Sequence, residues 1–167
     1  MNYKPITIEE LWAIKGFIPN DSQRDAILHI DGPLFLTAGP GSGKTRVLLW
    51  RTLNLIVFHN VKPEDIFLST FTEKASLQLK DGLRTLLGIV SNVTGKPFDI
   101  SKMSIGTVHS IFQKEELEKM HPSLWTHFHN TSKFTISVSG LNYGQLEILL
   151  MKKQHKMQSL NTLTVKI

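Results

Sequence analysis

The stretch Leu34-Phe35-Leu36-Thr37-Ala38-Gly39-Pro40-Gly41-Ser42-Gly43-Lys44-Thr45 constrains this chain more than any other. A short apolar run enters a glycine-rich turn ending in Gly-Lys-Thr, and apolar-periodic sequence follows from Val47 to Phe58. Strand, loop and helix in that order are the setting a phosphate-binding loop requires. Gly39, Gly41 and Gly43 let the backbone turn tightly and bring bare N–H groups up to phosphate oxygens. A helix starting near Lys44 adds the positive end of its dipole at the same point. Lys44 supplies a point charge for β- and γ-phosphates, and the Thr45 hydroxyl suits Mg²⁺; these two are the candidate catalytic residues. The general pattern G-x-x-x-x-G-K-[ST] has one departure here, Ala38 in place of its first glycine.

The rest of the composition narrows the setting. A chain of 167 residues with 41% hydrophobic content has room for one domain with a real core. It has no cysteine, which excludes a disulfide framework and thiolate metal sites. No charged-then-apolar signal segment opens it, and no apolar run approaches the ~20 residues that span a bilayer. A cytoplasmic protein with no membrane partner is expected. The net charge of +5 is uneven. Residues 1–120 carry 14 Lys/Arg against 13 Asp/Glu, whereas residues 121–167 carry five Lys against Glu147 alone. The excess lies mostly in the tail, so it argues only weakly for nucleic-acid binding by the domain proper.

Local signals divide the chain. Thr7 and Glu10 fit a capping box for a helix running to about Lys15, broken by Gly16 and Pro19. Asn20-Asp21-Ser22 caps a second helix that presents Ala26, Ile27 and Ile30 to the core. The helix after the loop is apolar nearly all round at Leu53, Leu55, Ile56, Val57 and Phe58, as in helices covered on more than one side. Ile66–Phe71 is unalternating and apolar, as in a parallel strand covered on both faces. A long helix begins at Thr72-Glu73-Lys74 and is expected to end at Gly88, followed by an irregular connection over 89–102. Met103–Thr107 reads as a third strand and Val108–Met120 as a helix. Beyond His121-Pro122 the pattern weakens. Phe134–Val138 suits a strand, Gln145–Met151 a short helix, and Lys152–Ile167 has no clear pattern. The order βαβαβα predicts an α/β fold with a parallel sheet. The division expected is a P-loop ATP-binding domain over 1–120 and an atypical basic tail over 121–167.

Four stretches stand in a telling order. They are Asn20-Asp21-Ser22-Gln23-Arg24-Asp25-Ala26, the loop with Arg46-Val47-Leu48, Ser69-Thr70-Phe71-Thr72-Glu73-Lys74-Ala75, and Gly106-Thr107-Val108-His109-Ser110-Ile111-Phe112. Together they resemble the amino-terminal part of the UvrD/Rep-type superfamily 1 DNA helicases, in which Ala38 is the usual form of the loop. The resemblance covers residues 17 to about 120. It implies an incomplete P-loop NTPase (RecA-like) parallel sheet flanked by helices, with ATP and Mg²⁺ as cofactors. By position, it implies that Gln23 reads adenine and that Arg24 and Arg46 flank the nucleotide. Ala38, Gly39, Gly41, Ser42, Gly43, Lys44 and Thr45 would then cradle the phosphates. Phe71 and Thr72, with Thr107, His109 and Ser110, would line a single-stranded DNA track, where an aromatic stacks on bases and hydroxyls hold phosphates without reading sequence. Taken singly, Gln23 is an ordinary helix-start residue, Phe71 an ordinary core aromatic and His109 an ordinary structural histidine. Their joint spacing carries the assignment.

The same resemblance exposes a gap. Hydrolysis in that family needs an acidic Walker-B pair on a further strand. No Asp follows Asp99, and Glu147 is the sole acid after Glu118. The expectation is the ATP-binding portion of an ATP-dependent DNA helicase that binds single-stranded DNA weakly and lacks turnover by itself. A truncation, a frameshift or one half of a split helicase with a second polypeptide would each account for it. The alternatives are a non-enzymatic remnant that binds DNA or a partner, or another small P-loop NTPase.

Overall fold

A computed structural model of the chain describes residues 3–30, 34–39, 41–70, 72–107, 110, 135–139, 146–151 and 163–166. The elements run α1 (Ile8–Lys15), α2 (Asp21–Leu28), β1 (Leu34–Thr37), α3 (Lys44–Val57), a 3₁₀ turn at Pro63–Asp65, β2 (Ile66–Thr70), α4 (Glu73–Thr94), β3 (Ser104–Thr107), β4 (Thr135–Ser139), β5 (Leu146–Met151) and β6 (Leu163–Lys166).

Local chemistry explains the first two helices. The Thr7 hydroxyl accepts from Glu10 N–H, and the Glu10 carboxylate accepts from Thr7 N–H at 2.7 Å. That reciprocal bond opens α1, and Gly16, in the left-handed region at φ 62°, closes it. Asn20 and Gln23 form the same box for α2. Ala26 and Ile27 are fully buried as expected, but the helix stops at Leu28 and leaves Ile30 beyond it, half-buried.

Helix α3 packs against both α2 and α4. Every residue from Trp50 to Ile56 is buried, which matches the all-round apolar sequence. The facing stripe of α4 is Leu79, Leu83, Leu86, Leu87 and Val90. That stripe is why α4 does not end at Gly88. A helix-interior glycine costs only about 1 kcal/mol, and burial of Val90 two residues on outweighs it. The helix continues to Thr94 and stops at Gly95, where φ is 76° and the N–H bonds to Ser91 C=O. Residues 89–94 of the expected irregular connection are therefore helix.

The strands form one sheet in the order β3-β2-β5-β4-β1-β6. β2 and β3 are parallel, with Thr70 opposite Thr107. β1 is parallel to β4 and to β6. β5 is antiparallel to both β4 and β2. Hence β1, β2, β3, β4 and β6 all point the same way, and the sheet is mixed rather than wholly parallel because β5 runs back. The expected helix over Gln145–Met151 is this strand. Its six apolar-rich residues have no periodicity that separates helix from strand, and neighbours on both sides offer ladders. Leu163–Lys166, read as unpatterned, alternates apolar and polar and pairs at the β1 edge. The helix expected over Val108–Met120 lies almost wholly outside the described residues. No described helix is long and apolar enough to cross a membrane.

Two substitutions test this packing by urea denaturation. Leu83→Ala should destabilise by about 2–5 kcal/mol, the usual cost of a buried cavity. Gly88→Ala should stabilise by about 0.5–1 kcal/mol, since an added Cβ meets nothing within 4 Å.

Candidate functional site

The site grows out of the carboxyl end of β1. Gly41 and Gly43 both sit at positive φ, 77° and 84°, so the loop reverses where side chains would strain it. Gly43 is constrained twice, because a Cβ there would stand 3.3 Å from Gln23 Nε2. Inside the loop, Gly39 C=O collects donors. It accepts from Ser42 Oγ at 2.8 Å and from Ser42 N–H at 3.3 Å. Lys44 Nζ donates to the same oxygen at 2.8 Å and to Ala38 C=O at 3.3 Å. The Lys44 side chain is buried, folded under the loop with its ammonium held by carbonyl oxygens. Phosphate oxygens would be stronger partners for that charge than neutral carbonyls.

The start of α3 differs from the other helices. α1, α2 and α4 each have a side-chain N-cap (Thr7, Asn20, Thr72) and an acid in the first turn. α3 has Gly43 at its N-cap with no side-chain bond, and no acid in its first turn. It carries Lys44 and Arg46 there instead. Two cations at the positive end of a helix dipole repel that end unless an anion sits between them. The donor set therefore fits a polyphosphate. Thr45, the expected Mg²⁺ ligand, is half-buried in the same turn.

A cleft of about 910 Å³ opens from this turn, large enough for a nucleotide. Residues 41–46 and Gln23 form one end. Phe17, Leu49, Trp50 and Leu86 give it an apolar wall. The Phe17 and Trp50 rings stack at 5.5 Å and 7°, and Trp12 meets Phe17 edge-on. The Arg46 guanidinium lies over Phe17, 5.6 Å from the ring centre. Arg24 sits elsewhere. It pairs with Glu9 at 3.2 Å and lies over Trp12, and it does not line the cleft.

Gln23 makes two further contacts. Its Oε1 accepts from Asn20 N–H at 3.2 Å, and its Nε2 donates to Ser42 C=O at 3.0 Å. An N–H needs the amide oxygen and a carbonyl needs the amide nitrogen, so the pair fixes the amide's orientation.

Sequence reasoning missed Arg51 and Asn54. Both are buried on α3, Arg51 to 1% exposure. Arg51 Nη1 donates to Ala26 C=O at 2.6 Å, and Asn54 Nδ2 donates to Ile27 C=O at 3.0 Å. Burial pushes the guanidinium pKa down to about 10, and its Nε has no partner among the described residues. The available signal was two strongly polar residues inside an otherwise apolar helix.

The expected DNA-contacting residues are partly placed. Thr72 is exposed, capping α4 through Ala75 N–H. The Thr107 hydroxyl accepts from Ser110 N–H, and Ser110 Oγ donates to Thr107 C=O. Thr70 and Thr107 are register partners, so the segments after β2 and β3 leave the same edge. That edge also emits the phosphate loop, since β1 points the same way. Phe71 and His109 lie outside the described residues. Among the described residues, no group of His, Cys, Asp and Glu could hold a metal by itself.

Comparison with known proteins gives one family. Residues 19–164 match the UvrD/REP helicase N-terminal domain. The chain is 42% identical over 106 residues to the ATP-dependent DNA helicase SRS2 of Saccharomyces cerevisiae, covering 63% of this chain and 8% of that protein. It is 45% identical over 69 residues to the ATP-dependent DNA helicase PcrA of Bacillus subtilis, covering 41% and 9%. It is 35% identical over 120 residues to DNA helicase II of Rickettsia typhi, covering 70% and 16%. The chain thus spans less than a fifth of the length of these relatives.

The geometry ranks the two arginines. Arg46→Ala should weaken nucleotide binding more than Arg24→Ala, as measured by titration with a fluorescent ATP analogue. Arg24→Ala should cost no more than about 1 kcal/mol of stability, the range of an exposed ion pair.

Proposed function

The chain belongs to the UvrD/REP helicase N-terminal domain family, and from that premise we propose that it is the ATP-binding portion of an ATP-dependent DNA helicase. The observation that carries the reading is the start of α3, uncapped, free of acids and loaded with Lys44 and Arg46. Residues 38–46 hold the triphosphate, with Lys44 released from Ala38 and Gly39 to the phosphate oxygens. Thr45 contributes a hydroxyl to Mg²⁺, whose role is to neutralise charge on the phosphates.

Gln23 selects the base. Its amide uses one donor and one acceptor on Ser42 and Asn20, and one of each remains. Adenine offers a donor at N6 beside an acceptor at N7, which that remaining pair matches. Guanine offers two acceptors, O6 and N7, and leaves the amide oxygen facing another oxygen. Arg46 and the Phe17–Trp50 wall flank the base.

Thr72, Thr107 and Ser110, with Phe71 and His109, form part of a single-stranded DNA track. Its grip is on phosphates, so affinity is weak and falls with salt as counterions are released. The 167-residue chain binds ATP without turning it over. Lys44 and Thr45 hold the ground state, but activation of water needs an acidic partner. After Glu118, Glu147 is the sole acid in this sequence.

Nucleotide titration tests the reading. Wild type should bind ATP more tightly than GTP, and Lys44→Ala should bind neither well. Equal binding by wild type and Lys44→Ala would refute it. Phosphate release with excess single-stranded DNA should stay at the level of a Lys44→Ala blank. A single arginine finger is worth about 10³–10⁵ in rate, so turnover without one and without an acid to activate water stays near background.

A further inference from the structure

We infer that Arg51 and Asn54, far along α3 from the phosphate loop, are positioning residues that set base selectivity by holding α2, and with it Gln23, in register with the loop. The inference rests on the reading of Gln23 as the base selector. Three observations carry it.

The first is the layout of α2. Gln23, Ala26 and Ile27 are three and four residues apart, on one face of the helix. That face is tied to α3 and its loop at both ends. Gln23 Nε2 grips Ser42 C=O at one end, and Arg51 and Asn54 grip Ala26 and Ile27 C=O at the other. The second is that α2 cannot hold itself. It has eight residues, no basic residue in its last turn and an extended residue, His29, at its C-cap. Isolated helices below about 12–15 residues are marginal. Its last carbonyls need outside donors, and Arg51 supplies a cation at the negative end of the dipole. The third is the chemistry chosen. A guanidinium at 1% exposure with one nitrogen lacking a partner among the described residues is a poor way to gain stability, because an apolar side chain fills such a site at lower cost. It does fix where one carbonyl sits, and so where the helix sits.

Loop and base selector are therefore referenced to the same rod. The bonds from Lys44 and Ser42 to Gly39 C=O do not pass through α2, whose tie to the loop is the Gln23 Nε2 bond to Ser42 C=O. Loosening the far end of α2 should move the Gln23 amide while leaving the phosphate grip intact. The signature is a fall in selectivity without a fall in phosphate affinity, which lost stability alone does not produce.

The test uses the full chain as wild type, Arg51→Met, Arg51→Lys and Asn54→Ala. Each is titrated with Mg-ATP, Mg-GTP and Mg-tripolyphosphate below its melting temperature. A bidentate base contact supports a wild-type preference for ATP of about tenfold or more. Arg51→Met should bring ATP affinity down to that for GTP, Asn54→Ala should bring it part of the way, and Arg51→Lys should restore part of the preference. Tripolyphosphate affinity should be the same in all four. A folded Arg51→Met with the wild-type ratio overturns the inference, as does tripolyphosphate affinity falling in step with ATP affinity. If Arg51→Met does not fold, Asn54→Ala decides, and an unchanged ratio there overturns it. A wild type that binds tripolyphosphate but shows no preference for ATP refutes the Gln23 reading, and this inference with it.

Discussion

The burial of α3 is the constraint that the glycine-rich loop and its cleft depend on. From Trp50 to Ile56 no side of the helix reaches solvent. α2 and α4 pack against it, and its first residue is the lysine of the loop. A rod clamped along its far half cannot tilt, so the direction of its first N–H groups is fixed. Charge brought to that end meets donors already aimed at it, with no reorganisation required. Of the three polar residues admitted into the clamped half, Thr52 bonds back to Leu48 C=O within the helix, while Arg51 and Asn54 reach across to α2 carbonyls.

Features set by neighbours in sequence could be read from it directly. The Thr7–Glu10 and Asn20–Gln23 boxes, the Gly16 stop and the strand-loop-helix at 34–57 are all decided within a few residues. Features decided by distant partners could not. Gly88 looks like a stop until Val90 is known to be buried. Leu146–Met151 has no period to read, and Leu163–Lys166 is too short to stand out without β1 beside it. The same divide runs through the site. The loop and Gln23 were recognisable from residue order, but the tie from Gln23 to Ser42 spans 19 positions and those from Arg51 and Asn54 to α2 span 25 and 27. The placement of Arg24 against Glu9 and Trp12 depends on how α1 and α2 approach each other, which no local pattern encodes.

Gln23 joins these two kinds of information. As the third residue of α2 it completes a capping box, a local duty. As the donor to Ser42 it ties that helix to the loop, a tertiary one. One amide has enough lone pairs and protons for both and for one further partner of each kind. Its backbone is held by the helix and its side chain by the loop, so the free half of the amide points in one direction only.

Helix α3 begins without a cap of its own. Glycine costs roughly a few tenths of a kcal/mol against Ser or Asp as an N-cap, and at φ 84° Gly43 suits a turn that either would strain. An anion seated on the first turn would supply the partner that no side chain gives. Ligand and fold are then thermodynamically linked, since anything that binds only the folded chain stabilises it by RT ln(1 + [L]/Kd). At a hundredfold excess over Kd that amounts to about 2.7 kcal/mol. With such a ligand, the midpoint of thermal unfolding and the resistance to proteolysis would rise with its concentration. In a cell, the lifetime of such a chain would follow the supply of the molecule that completes its helix.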